Sequence, residues 1–298
     1  MSAHSWHEDE PGSEHGRARR FDGIRGESRL ELSPFRLLVY EQCPRKYRFI
    51  YHDHLWAEHK KPRPDLSLSN SLHLALRTLY RIGGPARHPL AKLQQIYNEN
   101  WVAKGYSGEA QEREYYEQGR HALEAYYEAE RARTVRCLFA ERTLRIPIDG
   151  FRVFAKLDRL DLLDGGGHEA VFYKTGPNMI VGDAEEKRLS LGLYALLVRA
   201  HYQSDRIKLT VWDVLSGISE STFAAVDDEP AFRRELIETA AAITGDGEFP
   251  QRANPLCEWC DFVDVCNAVQ PAPLPAPQLQ PQPQAQLDSA SLEGTPLY

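Results

Sequence analysis

The segment from residue 137 to residue 174 constrains the fold of this chain more than any other part. Its stretches CLFAERTLRIPI, FRVFAKLDRLDLL and EAVFYK have the apolar–polar patterning and the residue types of strands. Asp149-Gly150 joins the first two stretches, and this dipeptide is a strong signal for a tight hairpin. Asp164 and three following glycines join the second and third. The segment therefore predicts a three-stranded antiparallel meander.

Helical patterns surround this meander. Ser33 suits a helix N-cap and Pro34 suits the first helical position, so a short helix is predicted to run from there toward Cys43-Pro44. Further helices are predicted at about 69–82, from Pro89, and at about 109–132, 184–203 and 229–244, with strands near 207–214 and 221–226. Helices, a meander, a crossover helix and more strand predict an α/β fold in which helices flank a mixed central sheet.

The two ends of the chain have a different composition. Residues 1–28 are polar and show no periodicity, so we expect them to be disordered. Residues 269–298 form a Pro/Gln-rich tract that cannot bury a core, which predicts a disordered tail or linker. One folded domain is then expected over 29–268.

Composition limits the location and the partners of the protein. No run of about 18 apolar residues predicts a membrane span, and the N-terminus has no apolar region typical of a secretory signal, so a cytoplasmic location is expected. The net charge of −7 does not indicate nucleic-acid binding, although a local basic stripe would suffice for it. The basic and aromatic segment Arg45–Arg48 is one such candidate, and a solvated helix face is its alternative interpretation.

Cysteines carry the clearest chemical signal. Cys257, Cys260 and Cys266 place three thiolates within ten residues, which suits a soft metal centre in a reducing compartment. Three ligands leave a zinc ion or an iron–sulfur cluster one short, and Cys43 is the natural fourth. Cys137 lies in a predicted strand and is expected to be a buried small apolar residue. Spacing by itself does not separate zinc from iron–sulfur.

Four blocks in a fixed order together resemble a known family. They are LSPFRLLVYEQCPRKYRF, SNSLHLALRTLY, AERTLRIPIDGFRVFAKLDRLDLLDGGGHEAVFYKTG and the three-cysteine motif, and they extend over about residues 32–267. In this order they resemble the iron–sulfur branch of the RecB-type PD-(D/E)XK nucleases, which includes the AddB subunit and the nucleases of CRISPR adaptation. The resemblance implies a restriction-endonuclease-like fold clamped by a [4Fe–4S] cluster on Cys43, Cys257, Cys260 and Cys266.

The same resemblance implies a second metal site. By position, His73 and Asp158 would be ligands of Mg²⁺ or Mn²⁺, and Lys174 would be the catalytic lysine. Carboxylates are hard ligands for such ions, a bound ion acidifies water, and a lysine can stabilise developing charge. The family places a second acid two residues before the lysine, and this chain has Phe172 there.

Strand geometry makes this departure consequential. Residues 172 and 174 face the same side of a strand, so Phe172 places a ring where a ligand belongs. Glu169 faces the other side and is a poor substitute unless a bulge intervenes. Glu185, Glu186 and Glu141 are the other acids considered for the site. Ser69 and Ala155 stand where the family has glycines, and Ser190 stands where it has a glutamine.

Three functions follow from these residues. The favoured hypothesis is a nuclease-like DNA-binding protein with weak or lost cleavage, which would bind single strands or ends beside a helicase or nuclease partner. The second is an active Mg²⁺- or Mn²⁺-dependent DNA exonuclease with a substitute carboxylate. The third is a non-enzymatic scaffold stabilised by its metal. Whether the chain is an enzyme stays open at this stage.

Overall fold

A computed structural model describes residues 30–133, 135–175, 184–224 and 229–266, without the side chains of 184–187. The predicted disordered ends, 1–28 and 269–298, lie outside the described residues. Within the described ranges, no helix combines the length and the apolar character that crossing a bilayer requires.

The described chain contains six strands and eight helices. In chain order the elements are β1 (Glu31–Leu32), α1 (Pro34–Gln42), α2 (Pro44–Tyr51), α3 (Trp56–His59), α4 (Pro64–Arg81), α5 (Leu90–Glu99), α6 (Glu109–Glu130), β2 (Arg136–Ile148), β3 (Phe151–Leu162), β4 (His168–Lys174), α7 (Ala184–Tyr202), β5 (Ile207–Asp213), β6 (Ile218–Phe223) and α8 (Glu229–Gly245). A short 3₁₀ turn, Pro255–Trp259, follows α8.

The strands form one mixed sheet, as predicted. β3 pairs with β2 along its whole length, and it pairs with β1 near its start and β4 near its end. β4 continues to β5 and β6. The β1–β3 and β4–β5 pairs are parallel, whereas the other pairs are antiparallel. α7 supplies the crossover that a parallel β4–β5 pair requires.

Two apolar layers cover the sheet. Side chains of α1, α7 and α8 pack in one buried cluster, and side chains of α4, α5 and α6 pack in the other. This three-layer arrangement places β3 and β4 between α4 on one face and α7 on the opposite face.

Several local predictions are confirmed, and others are corrected. Ser33 caps α1 by accepting a hydrogen bond from the Arg36 N–H at 3.2 Å, and Asp149-Gly150 forms the β2–β3 turn. The helix predicted from residue 69 begins at Pro64, because proline is favoured in a first helical turn. The strand predicted at 221–226 begins at Ile218, directly after Gly217 provides a left-handed turn at φ 72°.

Candidate functional site

His73 and Asp158 meet between α4 and β3. The His73 Nδ1 lies 3.4 Å from an Asp158 carboxylate oxygen, and the two side chains are only 5% and 12% exposed. The other Asp158 oxygen accepts a hydrogen bond from the Tyr173 backbone N–H at 2.9 Å. The β3–β4 ladder ends at the Arg159–Val171 pair, so Tyr173 lies beyond it. The carboxylate therefore takes the place of a strand partner where β3 and β4 part.

The side-chain alternation of β3 reverses at this point. Leu157 and Leu160 both pack in the cluster with α7. Between them, Asp158 contacts His73 of α4, and Arg159 bonds a tyrosine of α6. Two consecutive side chains thus face the α4–α6 layer, as at a β-bulge.

Glu141 lies opposite this reversal on β2. The registered pairs on either side, Ala140 with Arg159 and Arg142 with Leu157, place Glu141 across from Asp158. Its backbone is left-handed, with φ 64°, which is uncommon for a residue other than glycine. Its carboxylate accepts from Arg77 of α4 at 2.7 Å and lies 3.1 Å from the Lys156 ammonium. The two acids therefore face α4 side by side, and Glu141 is already neutralised by cations.

Phe172 occupies the position at which the resemblance would place a second metal-binding acid. The ring is 3% exposed and lies in the apolar cluster with α7. Its centroid is 3.9 Å from the Tyr194 ring. Lys174, two residues later, shares this face of β4 by strand alternation. Asp158 pairs with His73 instead of Lys174, and no ion pair among the described residues joins Asp158 to Lys174.

Glu169 is committed elsewhere, as strand geometry predicted. It is 2% exposed, accepts from the Thr210 hydroxyl at 2.6 Å, and pairs with Arg133 at 2.9 Å and Lys208 at 3.0 Å. Burial pushes its pKa upward, but the hydrogen bonds from Thr210 and Lys208 outweigh burial, and the pKa is lowered overall. Of the other candidate acids, Glu185 and Glu186 have side chains outside the described residues.

A buried charge network beside the site was missed by sequence reasoning. Arg159, a charged residue in β3, is 0% exposed. Its guanidinium bonds Asp161 at 2.9 Å, Glu130 at 3.1 Å and the Tyr126 hydroxyl at 2.8 Å. Burial raises the pKa of Asp161 to about 6, although Arg159 opposes this rise. The signal for this network was charge at Arg159 and Asp161 between the leucines 157, 160 and 162 of β3.

Two of the replaced family positions are integrated into the structure. Ser69 of α4 accepts a hydrogen bond from the Thr175 hydroxyl at 2.6 Å, which ties α4 to the end of β4. Ala155 is 1% exposed in the core of the sheet. The serine therefore supplies a bond that glycine could not.

All four predicted cysteine ligands line one cavity. Cys43 stands between α1 and α2, Cys257 and Cys260 lie at the 3₁₀ turn, and Cys266 follows it. They share the lining of a cavity of about 470 Å³. Burial raises the pKa of the Cys260 thiol, and the nearby Cys43 adds to the rise. The structure therefore brings together thiols that are more than 200 residues apart in sequence.

Polar contacts hold the C-terminal segment on the first two helices. Asn254 caps the 3₁₀ turn by accepting from the Leu256 N–H at 2.9 Å, and its amide donates to the Gln42 carbonyl at 3.1 Å. Arg45 donates to the Phe249 carbonyl at 2.9 Å.

The Arg45–Arg48 segment is mainly structural. Arg45 is used in the contact just described, Tyr47 is 1% exposed, and Arg48 pairs with Asp53 at 3.2 Å. Among the described residues, no three His, Cys, Asp or Glu side chains are arranged to hold a single metal ion, at either location.

The chain is similar to a known protein family and to solved structures. A family model described as "PD-(D/E)XK nuclease superfamily" matches residues 31–267. The structure titled SSO0001 is 15% identical with a TM-score of 0.38, covering 82% of this chain and 88% of that one. An exonuclease by provisional title, from Eubacterium rectale, is 13% identical with a TM-score of 0.36, covering 64% and 74%. No curated protein matches the sequence.

Proposed function

This chain belongs to the PD-(D/E)XK nuclease superfamily, and on that premise we propose that it is a nucleic-acid-binding member of RecB type whose DNA cleavage is weak or lost. The superfamily acts on nucleic acid, and the proposal keeps that ligand while removing the chemistry. It would bind DNA strands or ends beside a helicase or nuclease partner that supplies the cleavage.

The burial of Phe172 carries this proposal. A divalent cation held by carboxylates needs oxygen ligands. His73 and Asp158 supply one imidazole and one carboxylate, and both are already engaged with each other. Phe172 adds an apolar ring packed on Tyr194 rather than a ligand. The residues at this location therefore do not fit the family's cation site.

The same branch of the family implies an iron–sulfur cluster, which would be held by Cys43, Cys257, Cys260 and Cys266. The four thiols share one cavity. Each iron of a cluster takes its own thiolate, so a cluster holds its thiolates farther apart than a single zinc ion does. When bound, the cluster would supply a covalent clamp between the first helices and the C-terminal segment. The bonds of Asn254 and Arg45 already support that contact.

The first test is cleavage and binding of end-labelled single- and double-stranded DNA by anaerobically purified protein with Mg²⁺ or Mn²⁺. We expect salt-sensitive binding without cleavage. The matched control is Lys174→Ala, because cleavage that is equal in both proteins comes from a contaminant. Cleavage that the control abolishes would contradict the proposed loss of activity. Absence of binding at low salt would favour the scaffold instead.

A second candidate is an active enzyme in which Glu141 replaces the missing acid. Its position across from Asp158 on the face of α4 favours it, and its pairing with Arg77 and Lys156 opposes it. In that case Mn²⁺-dependent cleavage would be present in the parent and lost in both Glu141→Gln and Asp158→Ala.

A further inference from the structure

The sequence of β2 and of the residues before it is strongly basic. Residues 131–145 contain five arginines, no lysine and a single acid, in a chain whose net charge is −7. Arg131 pairs with Glu128 at 2.7 Å, and Arg133 with Glu130. Arg136 and Arg142 are exposed and form no ion pair with any described residue. The excess charge is therefore local, and part of it is available at the surface.

These arginines lie on an edge of the sheet. Within the described residues β2 pairs only with β3, so its outer edge has no strand partner. A cleft of about 360 Å³ lies between this edge and the end of α4. Arg81, which is half exposed at 53% of its side chain, and Arg142 line it from the two elements. Exposed charge is one way to protect an edge strand from aggregation, but that role requires no cleft.

The composition of the cleft suits nucleic acid. The Arg142 guanidinium lies 4.7 Å from the centre of the Phe139 ring, which holds this planar donor in place. Leu138 is 40% exposed beside it, an apolar surface for a sugar or a base. Guanidinium groups bind phosphate oxygens through two parallel hydrogen bonds. Arginine beside an apolar side chain therefore matches a phosphodiester chain.

The length of the row distinguishes a polymer from a small anion. Arg136 and Arg142 are both exposed along one strand, where they pair with Leu162 and Leu157 of β3, and six residue steps of strand span about 20 Å. A single phosphate needs donors that converge on one point, whereas a polyanion needs donors in a line. At its centre, Glu141 lies across from Asp158, so the row leads to the His73–Asp158 pair.

We propose that this surface, the arginine edge formed by Arg81, Arg136 and Arg142, binds the phosphodiester backbone of a nucleic acid strand. The inference depends on the proposed function and deepens it, because it assigns the contact surface to the β2 edge rather than to Arg45–Arg48. Arg142 is the central residue, since it lines the cleft and also belongs to the row of exposed arginines on β2.

The test is the salt dependence of DNA binding, measured by fluorescence anisotropy with a labelled oligonucleotide. Arg136→Gln with Arg142→Gln should reduce the slope of log K against log salt by about 1.8 on a duplex and about 1.4 on a single strand, because each lost phosphate contact removes roughly 0.9 or roughly 0.7. The control, Lys104→Gln with Arg113→Gln, removes the same charge. Its arginine lies about 25 Å along α6 from Glu130, at the other end of that helix. The control slope should stay within about 0.5 of the parent, and the unfolding midpoints of both double variants should match the parent.

The outcomes separate the two proposals. Binding by the parent and both double variants with equal slopes overturns the arginine edge but leaves the proposed function standing. No binding by the parent at low salt overturns both. Binding that depends on Arg136 and Arg142 only with vesicles of phosphatidylserine and phosphatidylcholine, and not with DNA, also overturns this inference.

Discussion

Replacing Phe172 tests the structural basis of the proposed loss of activity. Phe172 is 3% exposed and packs on Tyr194 with ring centroids 3.9 Å apart. Truncating a buried phenylalanine costs about 3–5 kcal/mol. The lost ring pair accounts for about 0.5–1.5 kcal/mol of this cost. We expect Phe172→Ala to lower the free energy of unfolding by about 4 kcal/mol. With a urea m-value of about 2–3 kcal/mol/M, the midpoint should fall by about 1.3–2 M.

Phe172→Asp restores the acid that the family places there. It should cost more than the alanine change without metal, because a carboxyl group is then buried beside Tyr194. In the family's arrangement a carboxylate at 172 joins Asp158 and His73 around one cation, so Mn²⁺ should recover part of the loss, about 2.7 kcal/mol at one hundred times the dissociation constant. The parent should gain no such stability from Mn²⁺.

Urea unfolding followed by circular dichroism, with Mn²⁺ or with a chelator, measures both effects. Phe172→Leu is the control, since a similar apolar volume should cost less than about 1.5 kcal/mol. The reasoning is refuted if Phe172→Ala lies within 1 kcal/mol of the parent. It is also refuted if Mn²⁺ stabilises the parent as much as the aspartate variant, because the parent would then bind Mn²⁺ without an acid at 172.

Three further predictions follow from other parts of the structure. Cys43→Ser should remove the iron content and brown colour and expose the C-terminal segment to limited proteolysis; unchanged proteolysis and colour would contradict the clamp. Arg159→Met should cost about 3–5 kcal/mol in urea unfolding, because Asp161 is left buried without its cation and Glu130 keeps only Arg133, whereas the exposed Arg113→Met should cost less than about 0.5 kcal/mol. Asp161 has a pKa raised to about 6 by burial, so the folded state binds its proton more tightly than the unfolded state, and stability from this group is present at low pH and is lost as pH rises through about 6. Asp161→Asn should therefore gain up to roughly 3 kcal/mol relative to the parent between pH 4 and pH 7, and a constant difference across that range would contradict this.

Local patterns in the sequence were sufficient for most of the fold. The Asp149-Gly150 turn, the Ser33 cap and the apolar faces of the long helices are encoded by neighbouring residues, so the meander and its flanking helices were predictable. The short β1 and the helices α2 and α3 were not, because two to eight residues carry too little periodicity to be recognised.

The positions of the candidate site residues could be predicted from the sequence, but their contacts could not. The family resemblance placed His73, Asp158 and Lys174 on a helix and two strands, and it marked Phe172 as a departure. It did not show that Asp158 would be taken by His73 and by the Tyr173 N–H, since that contact depends on where β3 and β4 part.

The sequence by itself determined the order of helices and strands, because that order depends on residues close together in the chain; the cysteine set and the missing acid at 172 stay predictions from the family resemblance. Only the tertiary structure decided which distant groups share a site. It brought Cys43 to the C-terminal cysteines, buried Arg159 among carboxylates, and aligned exposed arginines on the unpaired edge of β2. Charge on a strand can be surface or core, and only the packing of other elements against that strand settles which it is.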